Sequence, residues 1–147
     1  MHGAGIIEKI EEREVLGELQ NYYIMRLPIG DMKVMIPMEN AEEIGLRPVI
    51  DEEGVAQVLS ILQEGQTKMS SNWNRRYRAN MEKIKSGDIF AVAEVVRNLA
   101  IRDNEKGLST GERKMLENAK QILISELVLA QDLSEEEVEQ QVLSFFE

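Results

Sequence analysis

The chain of 147 residues has no cysteine, one histidine, one tryptophan and three prolines. Without cysteine there is no disulfide, no thiolate metal site and no cysteine nucleophile, and the composition fits a reducing compartment. His2 is the single histidine. A Ser–His–Asp arrangement or a His-based metal site would rest on that one side chain. "HGAGIIE" lacks the GxGxxG spacing of a phosphate-cradling loop. The acidic clusters Glu11-Glu12-Glu14, Asp51-Glu52-Glu53 and Glu135-Glu136-Glu137 do not follow the spacing of a calcium loop. They read as solvated charge. These absences point away from an enzyme and imply no cofactor and no metal. No apolar run approaches the ~20 residues that cross a bilayer, which implies no membrane. "MHGAGIIEKIEE" has no basic stretch followed by an apolar one, as a signal peptide would. A cytoplasmic protein is expected.

The residues present describe a globular chain, 43% hydrophobic and 30% charged. Aromatics make up only 5%, so aliphatic side chains must do most of the packing. The pattern changes along the chain. From Gly5 to Pro37 short runs rich in β-branched and aromatic residues alternate with turn residues. Turns are expected near Gly17–Glu18 and at Gly30–Asp31, with Pro28 and Pro37 as punctuation. This predicts a small antiparallel sheet, with one more short strand before a helix in "MENAEEIGLRPVI".

After Asp51 the apolar period becomes 3.6. Val55, Val58, Leu59 and Leu62 share a face. So do Ile89, Val92, Ala93, Val96, Leu99 and Ala100, between an N-cap at Asp88 and a stop at Gly107. Ser109 with Glu112 opens a capping box ahead of Met115, Leu116, Ala119, Ile122, Leu123, Leu127 and Ala130. Ser134 with Glu137 opens another, ahead of Val138, Val142, Leu143 and Phe146. With the segment around Trp73, this predicts five helices. Strands followed by helices make an α+β chain, in two domains joined near residues 48–52.

The net charge is −10, yet "SNWNRRYRANMEKIK" gathers positive charge around the single tryptophan. From Lys68 to Lys85 there are six bases and one acid, a local charge of +5. Arginines and lysines so placed can neutralise phosphates. Trp73, Tyr77, Met81 and Ile84 fall on one helical stripe, which by itself reads as a core face. Asn72 and Asn74 make the helix entrance polar, which favours a half-exposed indole. Such an indole beside basic residues can wedge at a base step, stack on a single-stranded base or fill a protein pocket. Spacing leaves both readings open. The alternative to a DNA contact is a protein–protein adaptor with Trp73 in its core.

"NWNRRYRANMEKIKSGD" and "VAEVVRNLAIRDNEKGLSTGERKMLENAKQILISELVLA" strongly resemble the CarD family of bacterial transcription regulators. "HGAGIIEKIE", "YYIMRL" and "VMIPMENAEEIGLR" resemble its N-terminal domain. The resemblance implies a small Tudor-like β-domain (residues 1–48) that binds the β subunit of RNA polymerase holoenzyme. A helical domain (residues 49–147) would contact promoter DNA. It also implies that Trp73 wedges into the minor groove at the upstream edge of the transcription bubble and stabilises the open complex. Arg75, Arg76 and Arg78 match the basic residues beside that tryptophan, and Lys83 and Lys85 extend the DNA-binding set. Arg13 matches a polymerase-contacting arginine. A second such arginine aligns with Met35, where the charge is lost, and Lys33 is the neighbour able to compensate. The family pattern has a further strand before "HGAG". Its members are monomers, and loss of that strand would imply a weakened β-domain or a strand-exchanged dimer.

Overall fold

The computed structural model describes residues 5–27, 32–40 and 48–146. Among the described residues three strands form an antiparallel sheet in the order β1-β2-β3: β1 Ile6–Val15, β2 Glu18–Leu27 and β3 Met32–Pro37. A bulge lies between Ile7 and Lys9. The β1–β2 turn is Leu16–Gly17, one residue earlier than the sequence reading placed it. Val15 pairs with Glu18, and both turn residues have positive φ, 53° and 81°. That is the backbone of a two-residue type I′ hairpin, whose twist matches the strands it joins. The expected turn at residues 30–31 and the extra family strand lie outside the described residues. In the stretch 38–50, where a short strand and a helix were expected, Met38–Asn40 is a 3-10 turn, residues 48–50 belong to no element, and residues 41–47 also lie outside.

Alternation sorts the sheet into two faces. Tyr23, Met25 and Leu27 on β2 are paired with Ile10, Ile7, Val34, Ile36 and Met32 on one face. Met25, Leu27 and Ile36 form its buried cluster, with Tyr23 and Val34 packed against them. The other face carries Arg13, Gln20, Tyr22, Arg26, Lys33 and Met35, assigned by the same register.

Among the described residues five α-helices follow: α1 Glu52–Gln63, α2 Trp73–Lys85, α3 Ile89–Lys106, α4 Thr110–Gln131 and α5 Glu135–Leu143. Each begins at a side-chain cap, from Asp51, Asn72, Asp88, Ser109 and Ser134 in turn. The caps expected at Asp88, Ser109 and Ser134 are therefore present, and α3 ends at Gly107 as read. α3 packs on α1, α2 and α4, and α5 packs on α4. Val58, Leu62, Ile84, Val96, Leu99, Ala119, Leu123, Leu127 and Val138 meet in one core. Each large aliphatic side chain buried there contributes about 1.5–3 kcal/mol. The chain is thus α+β, an antiparallel sheet followed by a helical bundle. Among the described residues no helix is long and apolar enough to cross a membrane.

Candidate nucleic-acid interface

The segment before α2 is fastened to α3 from beneath. Arg97 and Asn98 are buried polar residues on α3. Arg97 donates to the Ile61 carbonyl, to Glu64 and to Thr67. The Asn98 amide donates to the Thr67 hydroxyl at 2.8 Å, and its oxygen accepts from the Thr67 backbone N–H. Buried polar groups persist only when paired, so these bonds fix the path of the segment as well as satisfying α3.

α2 then starts at Trp73. Asn72 caps it by accepting from the Arg75 backbone N–H at 3.1 Å. The buried row of α2 is Arg76, Asn80 and Ile84, spaced four apart. Tyr77 and Met81 are partly buried against the core. Trp73 lies one turn before Tyr77 and is 41% exposed. The stripe expected from spacing is therefore graded, with Ile84 in the core and Trp73 half in solvent.

The indole is held on two sides. Its ring stacks on Tyr77 with centroids 4.9 Å apart and planes 19° from parallel. Its Nε1–H donates to Ser109 Oγ at 2.9 Å. Gly111 lies beneath: a Cβ there would come 3.4 Å from Trp73 Cζ2 and 3.7 Å from Tyr77 Cε2. The N-terminus of α4 is thus the seat of the tryptophan.

The neighbouring cations separate into different environments. Arg76 is only 4% exposed and does not lie on the surface as the DNA-contact reading had it. Its Nε and Nη2 donate to the two carboxylate oxygens of Glu112 at 2.7 and 3.1 Å, and Nη1 donates to the Ser70 carbonyl at 3.1 Å. The hydrogen bond to Arg76 is the chief reason the Glu112 carboxyl is held below its usual range, ahead of the opposing effect of burial. The charges of Arg76 and Arg102 and the Ser109 hydroxyl add to it. The same pairing raises Arg76. Lys83 donates to Glu94 at 2.9 Å, and this bond chiefly lowers the Glu94 carboxyl. Arg75, Arg78 and Lys85 are exposed, and no side-chain partner engages them among the described residues. Arg75 and Arg78 are one turn apart on the same side of the helix. Lys85 lies twelve residues beyond Trp73, about 18 Å along the axis.

On the sheet, the register puts Arg13, Lys33 and Met35 on one face. Arg13 pairs with Glu11 at 3.0 Å, and Lys33 with Glu8 at 3.6 Å. Met35 is 43% exposed. Lys33 therefore supplies a cation beside Met35, shared with a carboxylate. Among the described residues no cluster of three or more metal-ligating side chains forms.

Three residues of the helical site carried no mark in the sequence reading as partners of the tryptophan: Ser109, Gly111 and Glu112. The capping box was legible, but its contact with a tryptophan 36 residues away was not.

Two family descriptions match the chain. Residues 57–143 match the CarD C-terminal domain, and residues 1–50 match the CarD-like/TRCF RID domain. The Bacillus subtilis (strain 168) protein named "Putative transcription factor YdeB" is 44% identical over 138 residues, covering 94% of this chain and 90% of that protein.

Proposed function

The chain belongs to the CarD family, and from that premise we propose that it is a transcription regulator with two working parts. The β-domain, residues 1–48, docks on the β subunit of RNA polymerase through the face carrying Arg13, Lys33 and Met35. The helical domain, residues 49–147, presents Trp73 to the minor groove at the upstream edge of the transcription bubble. Arg75 and Arg78, with Lys85 further along, contact the flanking phosphates. Arg76 is a positioning residue, and Lys83 acts with its charge partly neutralised by Glu94.

The observation that carries this reading is the state of Trp73. A core tryptophan would be enclosed. This one is 41% exposed, held by Tyr77 and Ser109, and followed two and five residues later by exposed arginines that no side-chain partner engages among the described residues. A large apolar group held rigidly has little rotamer freedom left to lose when it inserts, which suits a wedge. Unstacking a base step costs a few kcal/mol. The wedge therefore favours the state in which that step is already distorted, the melted promoter. A ligand shifts such an equilibrium only by its difference in affinity for the two states.

The acidic remainder of the chain fits the same scheme. With a net charge of −10, the free protein has little affinity for bare DNA. Tethering to polymerase raises the local concentration of the basic patch and removes the need for such affinity. The test is the lifetime of the open complex formed by cognate polymerase, with wild type and with Trp73→Ala. Wild type lengthens it. Trp73→Ala keeps a near-native melting temperature and loses the gain. A collapse in stability with the substitution would instead favour an adaptor with Trp73 as a packing residue.

A further inference from the structure

Ser109 belongs to the capping box of α4, yet its hydroxyl does more than cap. It accepts from the Glu112 backbone N–H at 3.2 Å, as an N-cap does, and also from Trp73 Nε1–H at 2.9 Å. The hydroxyl lies 3.4 Å from Glu112 Oε1, to which it donates. That oxygen receives Arg76 Nη2, and Arg76 in turn holds the Ser70 carbonyl ahead of α2. The indole N–H therefore ends a continuous chain: Ser70, Arg76, Glu112, Ser109, Trp73. Two of its links, Arg76 to Glu112 and Trp73 to Ser109, join the start of α2 to the start of α4.

We propose that Ser109 is the positioning residue of the wedge: its hydroxyl fixes the rotation of the Trp73 indole. The proposal rests on the wedge reading above and assigns its geometry to a residue of another helix. The physical case is a count of constraints. Stacking on Tyr77 fixes the plane of the ring but allows it to slide and turn within that plane. Contact with Gly111 limits how deeply it can settle. Only a directional bond to the single polar atom of the indole selects one orientation, and Ser109 supplies it. The buried Arg76–Glu112 pair keeps Ser109 in place, because Glu112 takes a bond from the hydroxyl while fixed at both oxygens.

Ser109→Gly is the discriminating variant, because glycine caps a helix almost as well as serine but offers no side-chain acceptor. Ser109→Thr restores the hydroxyl. Trp73 is the single tryptophan, so its fluorescence reports on the indole alone. In the full-length protein, Ser109→Gly should leave the melting temperature near wild type, lower the fluorescence anisotropy and increase acrylamide quenching. With cognate polymerase it should shorten the open-complex lifetime about fivefold, the scale of one neutral hydrogen bond. Ser109→Thr should recover both readouts. In a Trp73→Ala background Ser109→Gly should change the lifetime no further, whereas a purely structural cap would subtract from it again. Wild-type anisotropy in Ser109→Gly would overturn the assignment. So would an unchanged lifetime when Trp73→Ala shortens it. If Trp73→Ala itself has no effect on the lifetime, the wedge reading fails, and the anisotropy and quenching measurements alone decide whether Ser109 holds the ring.

Discussion

Arg76 and Arg78 stand two positions apart, carry the same charge and do unlike work. Removing one partner of a buried pair leaves the other as an uncompensated charge. Arg76→Met should therefore cost about 3–5 kcal/mol in chemical denaturation. Arg78→Ala should change stability by less than about 0.5 kcal/mol. It should instead reduce the slope of log affinity for DNA against log salt by about one, as expected for one lost phosphate contact. The carboxylates paired with Arg76 and Lys83 give a pH signature. Glu112 and Glu94 are both held below their unfolded values. In the window beneath about pH 4.3, the unfolded glutamate value, the unfolded chain binds more protons than the folded one. Their contribution is complete above that window and is lost as the pH falls through the folded values. Stability measured from pH 6 down to pH 3 should fall more steeply for wild type than for Glu112→Gln, whose contribution does not titrate.

At the scale of elements, the β1–β2 hairpin and the segment ahead of α2 are set by different means. The hairpin tip holds Leu16 at φ 53°, fully exposed. Left-handed backbone is disfavoured for leucine and tolerated by asparagine. Leu16→Asn should stabilise the sheet by about 1 kcal/mol, seen as a higher melting temperature. The segment between α1 and α2 has almost no apolar anchorage and depends on the polar bonds from α3. Asn98→Ala removes the acceptor of the Thr67 backbone N–H and of the Arg97 Nε–H. It should cost about 1–3 kcal/mol, and limited proteolysis should cut between residues 64 and 72 faster than in wild type. Since that segment leads into Trp73, the same change should blunt the effect on open complexes.

For the whole molecule, the proposed scheme separates affinity from action. Arg13→Glu on the sheet should weaken polymerase binding without shifting the melting temperature, because Arg13 is exposed and, among the described residues, paired only with Glu11. The variant should have no effect on open complexes at low concentration. It should regain it as the protein approaches the effective concentration that the tether supplies, which is of millimolar order for short linkers. Titration of open-complex lifetime against protein concentration measures this. A variant that stays inactive at every concentration would mean that Arg13 does more than tether.

The sequence by itself determined the class of the fold, the five helices and three of their caps, because period and capping are local. Asp88, Ser109 and Ser134 sit within a few residues of the N–H groups they satisfy. It also carried the family resemblance, since collinear motifs need no coordinates. Only the tertiary structure decided which arginine faces inward. The apolar pattern of α2 selects the row through Trp73 and Tyr77, whereas the buried row contains Arg76 and Asn80, whose polarity hides it. Burial of Arg76 is possible because Glu112 arrives from α4, 36 residues away. The seat of Trp73 was hidden for the same reason. Ser109 and Gly111 reach the indole only when α2 and α4 pack, and nothing in the spacing of either helix encodes that meeting.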